Sequence, residues 1–185
     1  MINPVFIPFP NLKTERLIFR QLNADDKDEI FKLRSDESVN QFLDRPKANS
    51  IDDALQFIDK IDGFIKNGES IMWAIVLKDD PKLIGTICLW NFQNENTEAE
   101  IGYELLPEFQ GKKIMQEAIP KIIDYGFSVM NLRFIVAGLS ADNLKSAALL
   151  EKNNFVRRPV EGENIAVENV IEYILHRGIT PDRVK

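Results

Sequence analysis

One cysteine and one histidine are all that the 185 residues contain of either type. A lone Cys88 excludes a disulfide framework within the chain. It lies in the apolar run LIGTICLW, where an inert buried thiol is the leading reading and a thiol nucleophile the lesser one. With His176 as the only imidazole, there is no histidine–cysteine cluster to hold a metal, and none is expected. Long apolar runs are missing as well, so no segment can span a bilayer as a helix. The opening MINPVFIPFPNL is apolar but broken by prolines and has no basic leader, so a signal peptide is not expected and a cytoplasmic protein is. Positive charge is in deficit: 23 Lys and Arg against 29 Asp and Glu leave a net charge of −6. That balance argues against bulk nucleic-acid binding, because phosphate backbones reward basic surfaces. Repeats, low-complexity stretches and linkers are absent, and the expectation is a single domain over 1–185.

What remains is an ordinary globular mixture, 44% hydrophobic and 28% charged. TERLIFRQL, from Thr14, reads as a strand. Asn23 caps a helix whose first turn is acidic and whose inner face carries Ile30 and Leu33. Asn49 or Ser50 opens a second helix through Lys66, with Ile51, Leu55, Ile58, Ile61 and Ile65 at helical spacing, and Asn67-Gly68 ends it. SIMWAIVLK, LIGTICLWNF and TEAEIGYEL then read as strands, the first two joined by a turn over 79–82. In the third, Ala99, Ile101, Tyr103 and Leu105 alternate with Glu98, Glu100, Gly102 and Glu104, so one face is apolar and the other carries carboxylates. A helix over about 113–130 follows, with Ile114, Ala118, Ile122 and Val129 as its buried stripe and Glu117 paired to Lys121 outside. LRFIVAGLS is a strand. Asp142 or Asn143 starts a helix whose Ala147, Leu149 and Leu150 face inward, and Asn153-Asn154 ends it. VIEYILHR closes the chain as a strand, with His176 on its polar side. This order predicts an α/β fold with a mixed sheet, antiparallel early and parallel where helices cross over.

The turn into the fourth of these helices carries Gly111, Lys112 and Lys113. A helix start offers unpaired N–H groups and the positive end of the dipole, a place for an anion and most often for phosphate. Neither a P-loop nor a dinucleotide fingerprint fits: Leu106 stands where the P-loop's first glycine belongs, and only one glycine is present. From physics alone an ordinary turn and a phosphate site are both open.

The segment Gln110-Gly111-Lys112-Lys113-Ile114-Met115 resembles the acyl-CoA loop Gln/Arg-x-x-Gly-x-Gly/Ala of the GNAT superfamily of N-acetyltransferases. Asn143-x-x-Ser146 followed by Leu150-Glu151-Lys152-Asn153-Asn154-Phe155 resembles the family's N-x-x-S segment and the motif that follows it. Thr14-Glu15-Arg16-Leu17 and Ala99-Glu100-Ile101-Gly102-Tyr103 are similar to the RimJ/RimL type, which acetylates ribosomal-protein N-termini. The landmarks run in order from 14 to about 177. The resemblance implies a twisted mixed sheet of about six or seven strands flanked by helices, and transfer of acetyl from acetyl-CoA to a primary amine by direct attack. Splayed central strands would admit the pantetheine arm, with main-chain contacts from Tyr103, Glu104, Leu105 and Leu106. The amides of Gln110, Gly111, Lys112, Lys113, Ile114 and Met115 would hold the diphosphate, and Asn143 the pantetheine or a water. Ser146 would sit near the sulfur.

Glu100 is the first choice for the base that takes the amine proton, with a solvated strand face as the plain alternative; Glu104 is second. By resemblance Ser146 is the best-placed hydroxyl for the leaving thiolate; Tyr103 is the alternative, although its side chain falls on the apolar face, where core packing is the leading reading. Lys113 and Met115 replace the two small residues of the loop, and Lys113 is expected to keep an ordinary negative φ. Asn154 replaces a glycine and tolerates the same backbone region. Trp73 is expected in the core; Trp90, at a strand end, is either core or a wall of the acceptor site. By resemblance, the segment from Asp44 and Arg45 to Ser50 shapes the acceptor pocket. The acceptor is a protein N-terminus or a small-molecule amine, and the protein a monomer or homodimer. A non-catalytic acyl-CoA sensor, and a fold used only for association, are the rival readings.

Overall fold

The computed structural model describes residues 6–93, 95, 97–158 and 169–178. Eight strands form one sheet in the order β1-β2-β3-β4-β5-β6-β8-β7. They are β1 (Leu12–Lys13), β2 (Leu17–Gln21), β3 (Ile71–Leu77), β4 (Asp80–Gln93), β5 (Glu98–Leu105), β6 (Phe134–Ser140), β7 (Val156–Arg157) and β8 (Val170–His176). Two of them, β1 and β7, are two-residue strands, which brings the sheet to eight where the resemblance implies about six or seven. All pairings are antiparallel except β5 with β6, which are joined by the α4 crossover (Ile114–Ser128) and are parallel.

The early helices form where the caps predict them. Asn23 and Asp26 make a capping box over a 3-10 turn, Ala24–Asp26, that leads into α1 (Lys27–Ser35). Ser50 and Asp53 make another at the start of α3 (Ile51–Asn67), and Gly68 closes that helix at φ 71°. The short α2 (Glu37–Asn40), capped by Asp36, has too few residues for a periodic signal. The turn expected over 79–82 is tighter: Leu77 already pairs with Asp80. Pro81 therefore lies inside β4, where a register shift in the pairing with β3 accommodates a residue that cannot donate to the ladder.

The sheet has two faces with different covers. On one, Trp73, Ile87, Leu89, Ala99, Ile101 and Ile135 pack with Ile114, Ala118, Ile119 and Ile122 of α4. Trp73 is fully buried, edge-on to Tyr125 with ring centroids 5.3 Å apart, and its Nε1 donates to the Pro10 carbonyl. On the other face, Ala74 and Leu83 pack with Ile30 and Leu33 of α1 and Ala54 and Ile58 of α3.

Two expectations for α4 fail. Val129 follows the helix end and is 62% exposed rather than buried. Glu117 does not pair with Lys121. It turns toward the N-terminal strands, and Lys121 meets Asp124. The strand expected from Thr14 also begins later: Thr14 to Arg16 form a bend between β1 and β2. That bend faces Glu117, so both errors have one cause, a tertiary contact between segments about 100 residues apart.

Candidate active site

β5 and β6 start as paired neighbours and then part. Their register covers Glu98 with Phe134, Ala99 with Ile135 and Glu100 with Val136, and there it stops. β5 continues to Leu105 and β6 to Ser140, the latter held by β8 along its whole length. The gap opens into a cavity of 680 Å³, within the range of small-molecule sites. Tyr103, Glu104 and Leu105 line one side, Asn143 and Ser146 another, and Gln110, Gly111, Lys113, Ile114 and Met115 a third. Tyr103 and Glu104 are consecutive in a strand and so point to opposite faces. The cavity therefore reaches both faces of the sheet.

Three of the expected residues lie outside it. Leu106 is buried in the smaller core cluster; its N–H bonds the Ile84 carbonyl and its own carbonyl accepts from Phe109. Lys112 turns its Nζ over the Phe109 ring, 5.2 Å from the centroid. Glu100 is at the vertex of the gap rather than on the cavity wall, for its pairing with Val136 is the last before the strands part. One wall had no signal in the sequence: Ser38, Val39, Gln41, Phe42 and Leu43, in and after α2. These precede the segment expected to shape the acceptor pocket. From that segment only Arg45 reaches the site, through a 2.6 Å ion pair with Glu104.

The loop before α4 corrects an expectation. Lys113 has φ 61° and caps the helix in the left-handed conformation, with Gly111 also positive at φ 74°. Such a backbone at a lysine costs about 1–2 kcal/mol. What holds it is Arg16: Nη1 donates to the Lys112 carbonyl and Nη2 to the Lys113 carbonyl, each at 3.3 Å. Arg16 is fixed in turn by Glu117, with Nε to Oε2 at 2.6 Å and the backbone N–H to Oε1 at 2.8 Å; the Thr14 hydroxyl donates to the same oxygen. Gln110 closes the loop from the other side by donating to the Leu105 carbonyl. The first-turn N–H groups of α4 thus open on the cavity with a fixed aim, the arrangement that receives an anion.

Asn143 caps α5 (Leu144–Lys152), its Oδ1 accepting from the Ser146 N–H at 3.1 Å. The cap sets Ser146 in the first turn, where its Oγ lies 2.7 Å from the Tyr103 hydroxyl. Tyr103 is therefore more than a core residue: its ring packs against the core and its hydroxyl lies in the cavity. Burial pushes that phenol above its ordinary range, only partly offset by Ser146. Asn154 takes φ 67° beyond α5, as an asparagine in a glycine position can.

Of the carboxylates, Glu104 is engaged on both oxygens, by Arg45 and by the Thr86 hydroxyl at 3.2 Å. Glu100 is different. Burial raises its pKa above the usual glutamate value, while hydrogen bonds from Asn91 and the Gly138 N–H pull it down and Glu172 pushes it up. Burial pushes the Cys88 thiol up to about 12, so it is protonated at neutral pH and unsuited to nucleophilic work.

A family model for the acetyltransferase (GNAT) domain matches residues 16–156. The chain is 35% identical over 152 residues to a Bacillus subtilis (strain 168) protein named uncharacterized N-acetyltransferase YoaA, covering 82% of this chain and 86% of that one. It is 33% identical over 144 residues to a Bacillus licheniformis protein named uncharacterized N-acetyltransferase p20, covering 78% and 81%. Among solved structures, the microcin C7 self-immunity acetyltransferase MccE, in complex with acetyl-CoA and AMP, superposes with a TM-score of 0.75 at 23% identity, covering 88% and 93%. The parted strands, the aimed helix start and these matches agree: the chain belongs to the GNAT family and is an acetyl-CoA-dependent N-acetyltransferase.

Proposed function

We propose that the enzyme transfers acetyl to a primary amine by direct attack within a ternary complex, without a covalent enzyme intermediate. The observation that carries this reading is the parting of β5 from β6 opposite the start of α4. The free edge of β5 at Tyr103 to Leu105 offers backbone groups to an extended pantetheine arm. Gln110, Gly111, Lys113, Ile114 and Met115 surround the place for the diphosphate, where helix N–H groups and a lysine favour negative charge. Leu106 is instead taken up by the smaller core cluster, and the Lys112 side chain by the Phe109 ring. The residues fit acetyl-CoA, which supplies the acetyl group as an activated thioester.

Glu100 acts as the base. Its raised pKa makes it a better proton acceptor than an ordinary carboxylate, and it stands where the two strands separate. It takes a proton from the amine, directly or through one water, as the nitrogen bonds to the acetyl carbon. The carbon–sulfur bond then breaks, and the Tyr103–Ser146 hydroxyl pair delivers a proton or a hydrogen bond to the departing thiolate. Asn143 positions Ser146 through the helix cap.

The acceptor enters from the face bearing Glu104 and the 38–43 segment. Resemblance of Thr14 to Leu17 and of Ala99 to Tyr103 to the RimJ/RimL type supports a protein N-terminus; a small-molecule amine fits the same chemistry. The acidic charge of the chain favours a basic partner over nucleic acid or an anionic membrane. A cytoplasmic monomer or homodimer is the corresponding reading.

The test is calorimetric titration with acetyl-CoA, with dephospho-CoA and adenosine diphosphate as controls, followed by thiol-release assays on an amine panel. Saturable binding that needs the pantetheine arm, together with amine-dependent thiol release, is expected. Tyr103→Phe and Ser146→Ala should each lower kcat with little change in acetyl-CoA affinity. Binding without release on any amine would return the sensor reading.

A further inference from the structure

An indole and a carboxylate stand side by side on the uncovered part of the sheet. Trp90 lies opposite Glu100 in the β4–β5 register and is 44% exposed. Its ring leans toward Gly102, where a Cβ would lie 3.8 Å from Trp90 Nε1. Glu100 leans the other way: a Cβ on Gly138 would lie 3.6 Å from its Oε1. Gly102 and Gly138 leave the room that these two side chains occupy, with Cys88 Sγ 3.0 Å from the place of a Cβ on Gly102, and Gly138 is exposed. Asn91, held in left-handed backbone at φ 51°, donates to Glu100 Oε2 at 3.3 Å. No lysine or arginine among the described residues is ion-paired with Glu100. On β8, Glu172 adds negative charge that Arg158, 2.7 Å away, offsets.

A partly exposed indole beside a carboxylate that no cation among the described residues pairs is a pair of groups that recognises a cation. An alkylamine reaches the site as an ammonium, because its pKa, like that of a lysine side chain, lies well above neutrality. We propose that Trp90 and Glu100 form a clamp that seats the acceptor's ammonium, and that the acceptor is an aliphatic amine bearing no carboxylate. This rests on the reading in which Glu100 takes the amine proton. A carboxylate on the acceptor lacks the attraction to Glu100 that a second ammonium has, and is repelled by it.

The test titrates the CoA complex with 1,4-diaminobutane and with 4-aminobutanoate, two chains of similar length that differ in charge at one end. Trp73 is fully buried, so a saturable change in indole emission reports Trp90. The diamine should bind at least about tenfold more tightly than the amino acid. Trp90→Leu should weaken diamine binding roughly fivefold, the scale of an exposed cation–π contact, with CoA affinity unchanged, and Trp90→Phe should lose less. Equal affinity for the two amines overturns the proposal, as does unchanged calorimetric diamine affinity in Trp90→Leu. Turnover separates this from the catalytic reading. Trp90-dependent binding without thiol release sinks the mechanism and keeps the clamp. Thiol release with an unchanged amine KM in Trp90→Leu does the reverse.

Discussion

At the residue scale, Glu100 and Lys113 each hold a costly state. Glu100 is a partly buried carboxylate whose pKa burial raises. A raised carboxylate pKa means that its contribution to stability is present below the ordinary value and is lost as pH rises through the folded one. Glu100→Gln should therefore melt higher than the parent at neutral pH, with the difference vanishing near pH 4. The same variant should lose about 100-fold or more in kcat and should lack the acidic limb of the kcat/KM profile, which in the parent lies above the usual carboxylate range. Unchanged kinetics would remove Glu100 from the mechanism. Lys113 pays in backbone strain at φ 61°. Lys113→Gly should raise stability by about 1 kcal/mol in denaturant titrations, tempered by the greater freedom of glycine in the unfolded chain. It should also weaken acetyl-CoA binding modestly, because a charge leaves the cavity wall; tighter binding would mean that the strain, and not the charge, governs affinity.

At the element scale, the bend between β1 and β2 works as a clasp on the start of α4. Thr14 and Arg16 bind Glu117, and Arg16 also binds the two loop carbonyls before the helix. Burial is the largest single influence on Glu117 and raises its pKa, but the hydrogen bonds from Thr14 and Arg16 together outweigh it and leave the pKa lowered. A lowered carboxylate pKa means stability present above the ordinary value and lost as pH falls through the folded one. Glu117→Ala should cost about 1–2 kcal/mol and weaken acetyl-CoA binding at the same time, since the loop loses its anchor. A loss of stability with unaltered cofactor affinity would show that the loop keeps its shape without the clasp. Thr14 and Arg16 thus support the loop before α4, a role that neither the composition nor the spacing of Thr-Glu-Arg-Leu announces.

At the scale of the whole molecule, the parted strands leave backbone groups of β5 without a neighbouring strand, and a bound ligand that takes the place of that strand stabilises the folded state. Acetyl-CoA at 100 times its dissociation constant should stabilise the protein by about 2.7 kcal/mol, visible as a rise in Tm. Dephospho-CoA should give much of that rise and adenosine diphosphate less. Equal shifts from all three would place the binding energy at the diphosphate alone and remove the strand gap from cofactor recognition.

The sequence by itself determined the longer helices and strands and their order. Capping boxes at Asn23 and Ser50, the glycine after Asn67, and the two-residue alternation in β5 are local signals, and the structure follows them. It also carried the family, through short motifs around Gln110, Asn143 and Phe155, and ten of the expected cofactor residues line one cavity: Tyr103, Glu104, Leu105, Gln110, Gly111, Lys113, Ile114, Met115, Asn143 and Ser146. Only tertiary structure decided the rest. The sign of φ at Lys113 depends on Arg16, which lies almost 100 residues away. Tyr103 leaves the purely apolar role of its strand face because the cap of α5 sets a serine hydroxyl opposite it. Glu100 and Glu104 share a strand face and a charge, yet among the described residues Glu104 meets an arginine and Glu100 an asparagine. Local propensity is written along the chain, one turn or one strand at a time. Charge pairing, backbone strain and the gap between two strands are set by which distant segments the fold brings together.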